Sequence, residues 1–173
     1  MLSVETERLL LLPMTYDCMT ALLEQKETEL EHQGYTLSED WITLEVLQTL
    51  DILRSLMPKD AAPDGFYTWA VIEKQTKQVI GDVGFKGRPN DLGAIDIGYG
   101  LAESARGKGL ATEAVLAMVE WAFSKPEVRR VSAESLHGNA ASTCILQKIG
   151  MRQMLRDGDT VYWEIKREVY ETR

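Results

Sequence analysis

The sequence predicts a mixed α/β domain with one central, mostly antiparallel sheet of about six to seven strands flanked by helices. Three observations carry this. First, segments 66–74, 79–87 and 93–101 ("FYTWAVIEK", "VIGDVGFKG", "GAIDIGYGL") are rich in β-branched and aromatic residues, and the short polar stretches "QTKQ" and "RPND" join them as an antiparallel meander. Second, residues 110–124 carry Ala111, Val115, Met118, Val119 and Ala122 at helical spacing, the strongest helix of the chain. Third, "VRRVSAESL" (128–136) follows that helix as a further strand. Residues 93–136 therefore read as a βαβ crossover, which sets one parallel pair inside the antiparallel sheet.

The remaining elements fall around that centre. "RLLLLP" (8–13) is an apolar strand closed by proline. From Thr15 the spacing of Met19, Leu22 and Leu23 predicts a short amphipathic helix, and Leu44, Leu47, Ile52, Leu53 and Leu56 predict another. The second helix ends at "MPKDAAPDG", a loop by its Pro, Asp and Gly content. "NAASTCILQKIG" (139–150) reads as a helix with Gly150 just past its end. "MRQMLRDGDTVYWEIKR" reads as a closing hairpin that turns at Asp157-Gly158-Asp159. No repeat or linker interrupts the 173 residues, so residues 1–173 are expected to form a single domain.

Composition narrows the function classes. The chain is 45% hydrophobic and 27% charged with a net charge of −8, which supplies no basic face for a nucleic acid and suits a cationic partner such as an amine. Cys18 and Cys144 form no CxxC pair and have no His/Cys cluster around them, so no metal is expected. The leucine run near the N-terminus lacks a basic leading segment and a small-residue cleavage site, and no apolar run approaches the roughly 18–20 residues of a membrane span. The expectation is a cytoplasmic protein without a membrane partner. His32 and His137 have no assignable catalytic partner, and Trp41, Trp69, Trp121 and Trp163 read as core or cleft-wall residues.

The stretch "ESARGKGLATEA" (103–114) carries the chemistry. A strand that ends in a glycine-bearing turn and enters a helix exposes backbone N–H groups where the macrodipole also favours negative charge. Gly107 and Gly109 remove Cβ atoms from that turn, and Arg106 and Lys108 add positive charge beside it. These are the ingredients of a pyrophosphate cradle; the same residues would also make a simple tight turn with solvated basic side chains. There is no GxxxxGK[ST] motif, and Gly107 and Gly109 are followed by Thr112 where a dinucleotide fingerprint needs its third glycine.

Arg106-Gly107-Lys108-Gly109-Leu110-Ala111 matches the R/Q-x-x-G-x-G/A signature of the GCN5-related N-acetyltransferases (GNAT), in which the turn binds the pyrophosphate of acetyl-coenzyme A. "TERLLLLP" (6–13), "DIGYGL" (96–101) and "NAASTCILQKIGM" (139–151) resemble the "TERLxLRP", "EIGYxL" and "NxxSxxxLxKxGF" segments of the RimJ/RimL-type subgroup, which acetylates ribosomal-protein N-termini. The resemblance keeps the family's order and spans nearly the whole chain.

The resemblance implies the GNAT fold and direct transfer of an acetyl group from acetyl-coenzyme A to a primary amine, either a protein N-terminus or a small molecule. It implies a cofactor site made of Tyr99, Gly100 and Leu101 on a strand that splays from its neighbour, Arg106, Gly107, Lys108, Gly109, Leu110, Ala111 and Thr112 around the pyrophosphate, and Asn139 and Ser142 on the pantetheine side. Gly98 and Gly100 suit a strand that another chain approaches closely. Ser142 is the candidate proton donor to the departing thiolate, because Leu146 stands where many relatives have a tyrosine. Asp96 and Glu134 are the candidate bases. Leu12 and Gly100 depart from the subgroup pattern, and the region 25–65 is expected to wall the acceptor cleft. The alternative is an inactive coenzyme A-binding sensor or regulatory protein of the same fold. The exposed face of the last strands offers a surface for a homodimer.

Overall fold

The structure, a computed structural model, describes residues 2–60 and 62–173. Its strands are β1 (Val4–Glu5), β2 (Leu9–Pro13), β3 (Thr36–Leu37), β4 (Thr68–Glu73), β5 (Gln78–Phe85), β6 (Ala94–Leu101), β7 (Arg130–Leu136), β8 (Arg152–Asp157) and β9 (Thr160–Lys166). Its helices are α1 (Tyr16–Leu23), α2 (Glu29–His32), α3 (Leu44–Ser55), α4 (Leu110–Phe123), α5 (Ala140–Lys148) and α6 (Arg167–Glu171), with a 3₁₀ turn at Glu103–Ala105. The strands form one nine-stranded sheet in the order β1-β2-β4-β5-β6-β7-β9-β8, with β3 beside β5. Pairing is antiparallel except for β6 with β7 and β3 with β5. The sheet has more strands than the expected six to seven because β1 and β3 are two residues long, too short to leave an alternation in the sequence.

Local chemistry explains where the helices begin. The Thr15 side chain accepts the N–H of Cys18, Thr43 that of Val46, and Asn139 that of Ser142, each satisfying a donor that the first turn leaves free. Thr28 and Glu31 form a capping box around α2. The closing hairpin turns through Gly158-Asp159 between paired Asp157 and Thr160.

β4 and β5 are buried almost throughout, so they have helices or loops on both faces. One face packs on α4, whose Val115, Met118, Val119 and Ala122 are fully buried and whose Trp121 sits among Phe66, Trp69 and Phe85 at 5.2, 5.5 and 5.7 Å. The other face meets buried Trp41, whose indole N–H donates to Asp82 of β5 at 3.0 Å. Trp69 pairs in register with Val83, so Asp82 points away from the α4 side.

Two features position the site. β6 and β7 are hydrogen-bonded only from Ala94 to Ile97 and from Arg130 to Ala133. Beyond that point Gly98–Leu101 is held by β5 alone and Glu134–Leu136 by β9 alone, so the ladder opens into a wedge. The second feature fastens the start of α4 to β2. The Arg8 guanidinium donates to Glu113 at 2.7 Å and to the Lys108 carbonyl at 2.8 Å, while Thr6 Oγ1 and the Arg8 N–H donate to the same carboxylate at 2.6 and 2.9 Å. Burial by itself would raise the Glu113 carboxyl, but these donors and the Arg8 charge outweigh it and hold the group below its usual range.

Candidate active site

The unpaired end of β6, the turn before α4 and the start of α5 line a chamber of about 470 Å³. Gly107 and Gly109 lie at φ +73° and +78°, the left-handed region that favours glycine, and Gly109 caps the helix without a side chain of its own. The first N–H groups of α4 have no intrahelical acceptor, and they point with the helix dipole at whatever occupies this turn. Nothing lies within 4 Å of a Cβ placed on Gly107, so the backbone there is open to a ligand. Arg106 sits at the chamber wall, its Nε held by the Leu101 carbonyl at 3.1 Å.

The structure brings the sequence-expected donor residues to this one chamber. Tyr99, Gly100 and Leu101 come from the free end of β6, Arg106, Gly107, Gly109, Leu110, Ala111 and Thr112 from the turn and first helical residues, and Asn139 and Ser142 from the start of α5. Lys108 is exposed and outside the lining; its carbonyl serves the Arg8 clamp. The Tyr99 hydroxyl and Ser142 Oγ share a hydrogen bond of 2.7 Å, a pairing across 43 residues that spacing does not reveal. Burial pushes the Tyr99 phenol above its ordinary range, and the bond to Ser142 offsets this only in part. Leu146 is fully buried in the core.

A second chamber of about 460 Å³ adjoins the first and shares Tyr99, Gly100, Leu101, Arg106 and Asn139 with it. Residues Asp40 to Leu53 form its outer wall, inside the stretch expected to do so. Asp40 ties that wall to the donor turn: it accepts from the Ser104 N–H at 2.7 Å and from Ser104 Oγ at 3.0 Å. The Ser38 hydroxyl and these Ser104 donors hold its carboxyl down at about 2.

Asp82 lines this chamber, and the sequence reading passed over it. Its carboxyl is buried, accepts from the Trp41 indole, and is pushed up to about 6 by burial, which the Trp41 hydrogen bond opposes. A signal existed: an acid inside the apolar run "VIGDVGF" is costly unless it has a task. The two carboxylates named as bases stand elsewhere. Asp96 precedes the opening of the ladder, opposite Ser132, whose hydroxyl donates to it; Glu134 is exposed, 3.9 Å from Lys86. Neither lines a chamber. His32 pairs with Glu27 at the surface and His137 is exposed, while all four tryptophans are buried.

A glycine-bearing helix start thus stands beside a strand that leaves its partner, both lining one chamber. Residues 8–152 match the acetyltransferase (GNAT) domain family, and the chain belongs to it: it is an acetyltransferase. It is 28% identical over 163 residues to the uncharacterised N-acetyltransferase YjdG of Bacillus subtilis, covering 94% of this chain and 97% of that one. It is 30% identical over 137 residues to an N-acetyltransferase 9-like protein of Nematostella vectensis, covering 77% of this chain and 64% of that one. Among solved structures, a ribosomal-protein-S5-alanine acetyltransferase from Vibrio fischeri superposes with a TM-score of 0.65 at 19% identity, over 98% of this chain and 99% of that one. The ribosomal L7/L12 α-N-protein acetyltransferase RimL, solved with coenzyme A, superposes with a TM-score of 0.66 at 15% identity, over 97% and 99%. At these identities the solved structures show a shared fold. Among the described residues no group of three or more His, Cys, Asp or Glu is placed to hold a metal, and no helix is long and apolar enough to cross a membrane.

Proposed function

We propose that the protein transfers the acetyl group of acetyl-coenzyme A to a primary amine, by direct attack with both substrates bound. The observation that carries this reading is the loss of β6–β7 pairing at Ile97, immediately upstream of the glycine turn. The free edge of Gly98–Leu101 offers strand-like hydrogen bonds to pantetheine, and the Arg106–Thr112 segment offers N–H groups and positive charge to the pyrophosphate. Two chambers that share the end of β6 suit a donor on one side and an acceptor on the other. The Ser142 hydroxyl, backed by the Tyr99 phenol, is the proton source for the leaving thiolate in this reading, and it removes the need for a tyrosine at position 146. The ribosomal-protein acetyltransferase activities of RimL and the Vibrio protein favour a protein N-terminus as the acceptor, with a small amine as the other class. β8 is exposed along its length, with Met154 and Leu155 outward, and is the edge through which a homodimer would form.

Thermal denaturation with acetyl-coenzyme A, coenzyme A, ATP and NAD in parallel tests the donor site, since a ligand at a hundred times its dissociation constant stabilises by about 2.7 kcal/mol. A rise confined to the two coenzyme A forms is expected; no rise, or one shared with ATP, would reduce the turn to a general anion site. Ser142→Ala is expected to bind coenzyme A as the parent does and to slow transfer by roughly ten- to a thousandfold in a free-thiol assay. Parental turnover in that variant would take Ser142 out of the chemistry.

A further inference from the structure

We infer that Asp82 is the carboxylate that receives the acceptor, binding a primary amine as its ammonium ion and taking the proton that frees the nitrogen for attack. This rests on the acetyl-transfer reading above and names the residue that reading leaves without a base.

Four observations converge on Asp82. It lies on β5 directly opposite Gly100 of β6, on the face that lines the second chamber. Glycines keep it reachable: a Cβ on Gly100 would stand 4.0 Å from Asp82 Oδ1, so a larger residue there would crowd the carboxylate, and a Cβ on Gly98 would meet nothing within 4 Å, which leaves that part of β6 open. Among the described residues it makes no ion pair, and its one side-chain hydrogen bond is the Trp41 indole, which orients it without neutralising it. A buried carboxylate with no fixed cation is costly to keep, and a cationic ligand is what would complete it.

The surrounding charges sharpen this. Asp40 and Glu45 on the outer wall, Lys86 at the end of β5 and Arg106 at the turn are all exposed, the Tyr99 phenol is neutral at physiological pH, and β4 contributes only Thr68. Asp82 is therefore the one buried charge facing the chamber. Its raised carboxyl, at about 6, suits a base that works near neutrality.

The protons balance. The ammonium gives one to an Asp82 oxygen, and the nitrogen lone pair forms the C–N bond at the thioester carbonyl carbon as the C–S bond breaks. The proton that the nitrogen then sheds passes through solvent to the Ser142–Tyr99 pair, restoring the one that the pair gives to the thiolate sulfur, and Asp82 returns its own to solvent.

The test measures coenzyme A affinity and acetyl-coenzyme A consumption against pH for the parent, Asp82→Asn and Trp41→Phe, with n-butylamine and with peptides beginning in Ala, Ser or Met as acceptors. The parent should show an acidic limb in kcat/KM near pH 6; Asp82→Asn should bind coenzyme A within about twofold of the parent, lose about a hundredfold or more in kcat, and lose that limb. Trp41→Phe removes the donor that favours the ionised form, so it should move that limb to higher pH; it also decides the matter should the asparagine variant not fold. Near-parental turnover in Asp82→Asn, or an unmoved limb in Trp41→Phe, overturns the role of Asp82 alone. A parent that binds coenzyme A and acetylates none of these amines overturns the amine-transfer reading with it.

Discussion

Asp82→Asn is expected to be more stable than the parent at pH 8, by about 2–3 kcal/mol, even as it loses activity. The carboxyl sits at about 6 in the folded chain against an ordinary 3.8, a difference of about two pH units, each about 1.36 kcal/mol. The sign follows from proton binding. Between about pH 4 and 6 the folded state keeps a proton that the unfolded chain releases, so parental stability falls as pH rises through that window and stays at the lower level above it. Asparagine stays neutral at every pH, so the advantage of the variant should be absent below about pH 4 and complete above about pH 6. Urea denaturation of both proteins at pH 4.5, 6 and 8 checks this. A variant less stable than the parent at pH 8 would mean that the ionised group is held by interactions stronger than its desolvation. The expected outcome is a stability cost retained at a working position.

Gly109→Glu is expected to weaken coenzyme A binding by about a hundredfold or more, because like charges brought together at a binding site cost several kcal/mol. The new carboxylate would lie at the helix start proposed to hold the pyrophosphate, and φ +78° adds roughly 1 kcal/mol of backbone strain. The nearest neighbour of a Cβ there is Arg8 Nη2 at 3.5 Å, so the fold has room for the side chain. Gly109→Ala shares the strain and lacks the charge, and calorimetry on both separates the two effects. A folded glutamate variant with parental affinity would place the pyrophosphate elsewhere.

Much of this architecture is written in local pattern. The β5–β6 meander, the long helix α4 and its crossover follow from alternation, period and the Gly107–Gly109 turn, all of which act within a dozen residues. The residues that line the first chamber were legible for the same reason, being largely one contiguous turn plus a helix cap at Asn139. What escaped depends on distance. β3 exists only because Thr36 and Leu37 meet Gln78 and Val79, and α6 is too short to establish a period. Asp82 reads as one acid among several until Trp41, 41 residues earlier, is found covering it. Asp96 shows the converse: it stands beside "IGYGL" in sequence, yet the ladder has not opened there and it lines neither chamber.

The Arg8 clamp gives the Gly107–Gly109 turn a history as well as a shape. Its donor precedes the Lys108 carbonyl by 100 residues, so the turn receives its fastening only after the first and middle parts of the chain have met. Such non-local closure comes late and slowly in folding. A chain that has formed only its local hairpins and helices would carry the glycines and the basic residues yet hold no preorganised anion seat. In the proposed reading, affinity for the acetyl donor is a property of the completed fold, and a bound donor would in turn resist the separation of β2 from α4.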